Sequence, residues 1–224
     1  MSASDLPATD PGSLKPILVR RIPEAAGSAE AYLREAATEF FRRSECWRDQ
    51  RMMLVTDEVR TRYELPTPSA GKVVCIRHVW QSTSTGEVKM HHDTQIRDDG
   101  VNDDIYDSEI GRNRWHEPHP GSIAFHKQLP EGTSLRLEVA LTVGDDNVGN
   151  QSLIYLNREG ILAGAAHYAT MAQDKKTSNY YAGRDYYTMF ETFIRDASSR
   201  YQQKSGVERR SMSRMQAMRT TRCR

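Results

Sequence analysis

Cysteine is scarce in this chain: three residues in 224, Cys46, Cys75 and Cys223, widely spaced and in no CxxC pair. That speaks against a disulfide framework or a zinc finger and fits a reducing cytoplasm. Long apolar runs are missing as well. None approaches eighteen residues, so no membrane-spanning helix is expected. Met1 to Pro16 has no basic cluster followed by an apolar stretch, so no signal peptide is expected. Apolar residues make up only 38% of the chain and mean hydropathy is −0.71, which is polar for a free-standing globule. Such a chain spends residues on arms and loops, or depends on neighbours for burial. Signatures of catalysis are absent too: no GxGxxG or GxxxxGK(S/T) phosphate loop, no GxSxG serine, and no recognisable nucleophile context around any cysteine. No enzyme activity is expected from these motifs, and no cofactor.

What is present is most concentrated at the end. Val207 to Arg224 holds six arginines (Arg209, Arg210, Arg214, Arg219, Arg222 and Arg224), no lysine and one acid, Glu208. The whole chain is only +1, so the remainder is net negative. Three methionines and Val207 are nearly all the tail offers a core, too little to fold alone. It suits an arm that orders against an acidic groove, where arginine gives fixed, bidentate pairing. A frayed basic terminus is the plainer alternative. Six arginines would also hold phosphate with a steep salt dependence. The tail has no aromatics to stack on bases, however, and the chain as a whole is near neutral.

Periodicity divides the rest. From 1 to 27 the chain is rich in Pro, Ser, Ala and Asp and reads as an extended arm. Ser28 offers a cap for a helix on which Ala29, Tyr32, Leu33, Ala36, Phe40 and Trp47 recur at helical spacing. The period then becomes two. Val59, Thr61, Tyr63 and Leu65 alternate with charged residues up to Pro66, and strands are also expected at Val73–Trp80, Glu87–His92 and Ser122–Lys127. The clearest is the alternation Leu135, Leu137, Val139, Leu141, Val143. With no helical crossovers between them, these strands predict a mainly antiparallel sheet. Helical spacing returns after Asn150, with Gly160 and Gly164 four apart to admit a close neighbour. A third helix spans Tyr180 to Tyr201, and Gly206 is a stop.

The polar clusters carry no compelling site. His91 and His92 adjoin Asp93, and His116 and His119 form an HxxH, but Pro118 sits inside it and the setting is strand and loop. Helical zinc-ligand spacing is therefore out of reach, and no metal is expected. The acidic stretch Asp98–Glu109 lacks the alternating ligands and central glycine of a calcium loop. It reads as a solvated loop, or as an acidic surface for a basic partner.

As a set, the segments are distinctive. A helix ending FFRRSECWRD precedes RTRYELPTPS, then VVCIRHVW, an insertion and the long alternating strand; REGILAGAAHYATMA and YYTMFETFIRDAS follow. From Ser28 to Tyr201 this order resembles the head-to-tail adaptor (connector) proteins of tailed bacteriophages, the short-tailed ones above all. Met171 to Tyr180 departs from the family pattern, with QDKKTSN where relatives often carry Pro or Trp. The resemblance implies an α+β fold: an antiparallel bundle of about three long helices over 28–203, with a β-rich antiparallel insertion at about 53–144. Extended arms would flank it, at 1–27 and, basic, at 204–224. It implies a homo-oligomeric ring, twelvefold in that family, in the virion neck, assembled in the host cytoplasm without any membrane. The portal protein would lie on one side and a tail nozzle or tail tube protein on the other. Genomic DNA would pass through the bore without sequence-specific binding. Arg209, Arg210, Arg214, Arg219, Arg222 and Arg224 would be the portal-binding arm. Two other classes stay open, a nucleic-acid-binding protein using the arginine tail and a cell-wall hydrolase associated with the tail.

Overall fold

The computed structural model describes residues 8–92, 114–144, 146, 149–172 and 181–200. The chain divides into two units, one made of Met1–Thr9 with Trp47–Ser152 and the other of Asp10–Cys46 with Leu153–Arg224.

The second unit is helical, and it corrects the expectation of an extended N-terminal arm. Asp10 accepts the Gly12 N–H at 2.7 Å and starts a 3-10 turn, Pro11–Leu14. Helix α1 (Lys15–Arg21) and a second 3-10 turn, Pro23–Ala25, follow. Pro11, Pro16 and Pro23 each sit in the first two positions of a helical piece, where the missing N–H costs nothing and the fixed φ helps. Leu14, Leu18, Ile22 and Ala25 are buried. Prolines that look like loop punctuation in sequence therefore begin short helices.

Helix α2 (Ala29–Ser44) buries Leu33, Ala36, Ala37, Phe40 and Phe41. Ser28 makes no side-chain cap. The helix stops earlier than its apolar spacing suggests. Glu45 turns left-handed, with φ 50°, and its N–H donates to the Phe41 carbonyl at 2.9 Å. Trp47 is consequently not on the helix; it belongs to the sheet unit. The return path comprises α3 (Gln151–Leu156), α4 (Arg158–Ala172) and α5, residues 181–200. Asn157 separates α3 from α4 and donates from Nδ2 to the Leu153 carbonyl at 2.9 Å. On α4 every residue from Gly160 to Ala166 is buried, because α2 packs on one side and Phe190 of α5 reaches it on another. That is burial around the helix, where the sequence suggested one stripe.

The first unit is built on strands β2 (Arg48–Val55), β3 (Arg60–Glu64), β4 (Lys72–Thr83), β5 (Gly86–Lys89), β6 (His91–His92), β7 (Arg114–His116), β8 (Ser122–Leu129) and β9 (Ser134–Thr142). They form two four-stranded sheets, ordered β2-β9-β4-β5 and β3-β8-β7-β6. A separate two-stranded pair joins β1 (Ala8–Thr9) to β10 (Gly149–Asn150). All pairings are antiparallel except the two-residue β6–β7 contact. The expected alternation on β9 holds for Leu135 and Leu137. From Glu138 onward both faces are buried, and β9 is a central strand, between β2 and β4. Gly71 is at φ +82°, and a Cβ there would lie 2.5 Å from the Thr142 carbonyl oxygen and 2.6 Å from Trp47 Cη2. Only glycine meets both demands.

The fold is therefore not a bundle of three long helices with an insertion. Among the described residues it is mixed α+β, with five helices and two four-stranded sheets, and the β-rich region begins at Arg48 rather than near 53. Two of the helices, α1 and α3, span only seven and six residues. The acidic stretch 98–109 and the arm 204–224 lie outside the described residues.

Candidate functional site

All six arginines of the expected arm, Arg209 to Arg224, lie outside the described residues. What the structure gives is the platform before them. Helix α5 turns Phe190, Ile194 and Ala197 inward and leaves Tyr181, Tyr187 and Met189 exposed, as it leaves Met171 at the end of α4. Arg43 of α2 grips Glu191 with paired bonds of 2.5 and 2.7 Å. That guanidinium, first of all, holds the Glu191 carboxyl below its ordinary range. The His167 ring meets the α5 carbonyl of Gly183 at 2.8 Å and lies 5.1 Å from the Tyr187 ring. Helix α5 is thus pinned along its length, and its exposed side mixes aromatic residues with arginines and aspartates. On the opposite flank of the unit, Arg34 clamps Asp10 through both carboxylate oxygens, and this lowers the Asp10 pKa.

The histidines fall on neighbouring strands, His92 in register with Trp115, and the His116 and His126 rings lie 6.4 Å apart. His91 and His92 are exposed on β6, His116 is half-buried on β7, and His119 is exposed beyond it. Among the described residues no group of three or more His, Cys, Asp or Glu is placed to hold a metal ion. The residue of interest lies between the histidines of the HxxH. Glu117 is half-buried, and its Oε2 accepts the Ile76 N–H from β4 at 2.9 Å, linking the two sheets. Its other oxygen, Oε1, is buried with no hydrogen-bond partner. Burial lifts the carboxyl above its ordinary range, against the lowering by the Ile76 and Gly121 N–H groups and by Arg77 and His119. Burial, and then the Glu117 charge, likewise raise the Cys75 thiol, which makes that cysteine a poor nucleophile. Among the described residues, the charges that act on Glu117 are those of Arg77 and His119, and no second carboxylate joins it. A glycosidic acid–base pair needs two.

A shallow groove of about 390 Å³ runs along the Leu65–Val73 loop and Pro120–Gly121. Proline, glycine and backbone make up most of its wall, and Lys72 and Asp146 are the ionisable residues lining it.

The other feature is on the outward face of the first sheet. Cross-strand register aligns Met53, Arg136, Trp80 and Lys89 in one row. The Arg136 guanidinium lies 3.9 Å from the Trp80 ring centroid and donates to Glu87 from Nε at 2.8 Å and from Nη2 at 2.6 Å. Lys89 Nζ stands 5.9 Å from the same ring. The sequence reading missed both Glu117 and this row. Glu117 is hidden among histidines weighed and set aside as metal ligands, and the row depends on a register that no single strand announces.

No protein-family model matches the chain, and no curated protein matches it.

Proposed function

We propose that the chain is a head-to-tail adaptor of a tailed bacteriophage, a structural protein of the virion neck. Copies close into a ring of twelve beneath the portal. The arm bearing Arg209, Arg210, Arg214, Arg219, Arg222 and Arg224 docks on acidic portal surface, and the ring seals the filled head. Its far side is the platform for the tail nozzle or tail tube, and DNA later leaves through its bore. The reading does not depend on a three-helix bundle. One observation carries it: the chain order resembles that of the adaptors, with α5, fixed by Phe190 and by the Arg43–Glu191 pair, preceding the arginine-rich segment in the sequence. An arm rooted in a packed helix has a defined origin, so the ordering entropy at docking falls on the arm alone.

The test is co-sedimentation with the portal ring encoded beside this gene, comparing the full chain with one ending at Gly206. Saturable binding by the full chain and its loss on truncation is the expected result. If neither form sediments with the portal, the docking assignment fails. Salt-dependent retention on duplex DNA that needs the tail would then favour the nucleic-acid reading.

A further inference from the structure

Among the described residues the first sheet is open at both ends: β2 pairs with β9 and β5 pairs with β4. Every pairing inside it is antiparallel, and it has four strands. An even, strictly alternating sheet has its two edge strands running in opposite directions. A second copy in the same orientation, set with its β5 beside β2, therefore continues the antiparallel alternation. An odd strand count would force a parallel contact at the same place.

The side chains suit that junction. On the inward face Leu54, Leu135, Gln81 and Val88 share a row, and on the outward face Met53, Arg136, Trp80 and Lys89 share the next. Val88 points to the core side yet remains 37% exposed, because the sheet ends there. At the other edge Met53 is 46% exposed and Val55 60%. Natural edges are usually blunted by charge or bulges. The edge strand β3 of the second sheet follows that rule, with Arg60, Arg62, Glu64 and a register shift between Arg60 and Arg62. The stretch Met52–Val55 of β2 carries no charge at all. β2 carries Arg48, Asp49 and Arg51 and a register shift between Asp49 and Met52, so its blunting ends before Met52 and the stretch from Met52 to Val55 is the part of the edge open to a partner strand.

We propose that neighbouring copies of this chain join edge to edge, β2 of one pairing antiparallel with β5 of the next, with Leu54 opposite Val88 and Met53 opposite Lys89. Each row of the sheet then runs unbroken from copy to copy. The neighbour's Leu54 covers Val88, and Met53 lies along the methylenes of Lys89. The contact is heterologous, so it propagates until a ring closes. This rests on the ring in the adaptor reading and names the surface that builds it.

The test uses the full chain, alone over a concentration series and with the portal ring, followed by sedimentation velocity. Met53→Lys with Val55→Lys alters only exposed side chains and sets a lysine against Lys89. Loss of two apolar contacts should weaken association by about tenfold or more, with the circular dichroism spectrum unchanged. Met53→Cys combined with Lys89→Cys should give a ladder of covalent multimers under oxidising conditions, and either single change should not, since facing strand positions lie within disulfide reach. Assembly of the double-lysine protein as readily as wild type, or no ladder from the double cysteine, overturns the edge contact and leaves the adaptor reading standing. A wild-type chain that stays monomeric throughout, portal present, overturns both.

Discussion

Gly160→Ala and Gly164→Ala set two opposed effects against each other in one helix. Replacing an interior helical glycine by alanine gains about 1 kcal/mol of backbone propensity. Against this stands the space each position has. At Gly160 the new Cβ would lie 2.5 Å from Phe40 Cε2 and 2.9 Å from Phe193 Cβ. At Gly164 it would lie 2.7 Å from Phe190 Cε2 and 3.1 Å from Ala36 Cβ. Carbon atoms rest about 3.5–4 Å apart, so both sites are short by about 1 Å. Phe40 and Phe190 are each 1% exposed and have nowhere to withdraw. Overpacking of this kind costs about 1–3 kcal/mol. The net expectation is destabilisation by about 1–2 kcal/mol at Gly160, where the contacts are the shorter, and about 1 kcal/mol at Gly164.

Gly183→Ala is the control. Its Cβ would meet Thr170 Oγ1 at 3.0 Å and Met171 Sδ at 3.2 Å, and Met171 is 52% exposed and free to swing. Propensity should win there, with a gain of about 0.5 kcal/mol or more. Urea unfolding followed by far-UV circular dichroism reads the helices. Trp47, Trp80 and Trp115 all lie in the sheet unit, so tryptophan fluorescence reads that unit separately. If Gly160→Ala raised the midpoint as Gly183→Ala does, α2 and α4 would not be in the contact that the distances describe, and the account of α4 as a helix buried on all sides would be wrong.

Two further outcomes follow from the sheet unit. Arg48 Nη1 and Glu138 Oε1 pair at 2.8 Å with side chains only 16% and 9% exposed; Arg48→Ala strips a buried carboxylate of this ion pair and should cost about 3 kcal/mol in urea unfolding, while Arg48→Met with Glu138→Leu should recover most of it. Glu117 has a folded pKa above its ordinary 4.5, so the folded state binds the extra proton and stability falls as pH rises from the unfolded value through the folded one. Thermal unfolding between pH 4 and pH 7 should show that fall in wild type, and Glu117→Gln should flatten it; an unchanged slope would mean that another group titrates there.

Much of the local structure was legible because its signals are short-range. Leu135 and Leu137 alternate, and β9 is a strand. Gly160 and Gly164 are four apart, and both meet large aromatic rings. The errors come from signals that depend on context. Proline marks loops in most sequences, yet at the first positions of a helix it is neutral, so Pro11, Pro16 and Pro23 concealed three helical pieces. Trp47 continues the apolar spacing of α2 by coincidence. The left-handed Glu45 ends that helix, and a tryptophan buried in the next unit keeps the helical period for only one more turn.

The candidate surfaces divide along the same line. Charge is a property of composition, so an arginine-rich tail is visible in any sequence that carries one. The edge of a sheet is a property of pairing: Met53 and Val55 are apolar in a strand like many others, and they matter because β9 occupies one side of β2 and no described strand occupies the other. The parity of the sheet, which makes its two ends complementary, exists only once four strands have been placed. In the assembly proposed above the two kinds of signal would supply different parts: the tail would carry the charge that selects a partner of opposite sign, and the sheet edges the backbone groups and apolar side chains that join identical copies. High salt should therefore weaken portal docking far more than it weakens contact between copies, because screening acts on charge pairs and leaves backbone pairing largely intact. Sedimentation of the assembled complex across a salt series should show the adaptor leaving the portal as an intact oligomer; release as monomers would place the main contacts between copies in the charged tail instead.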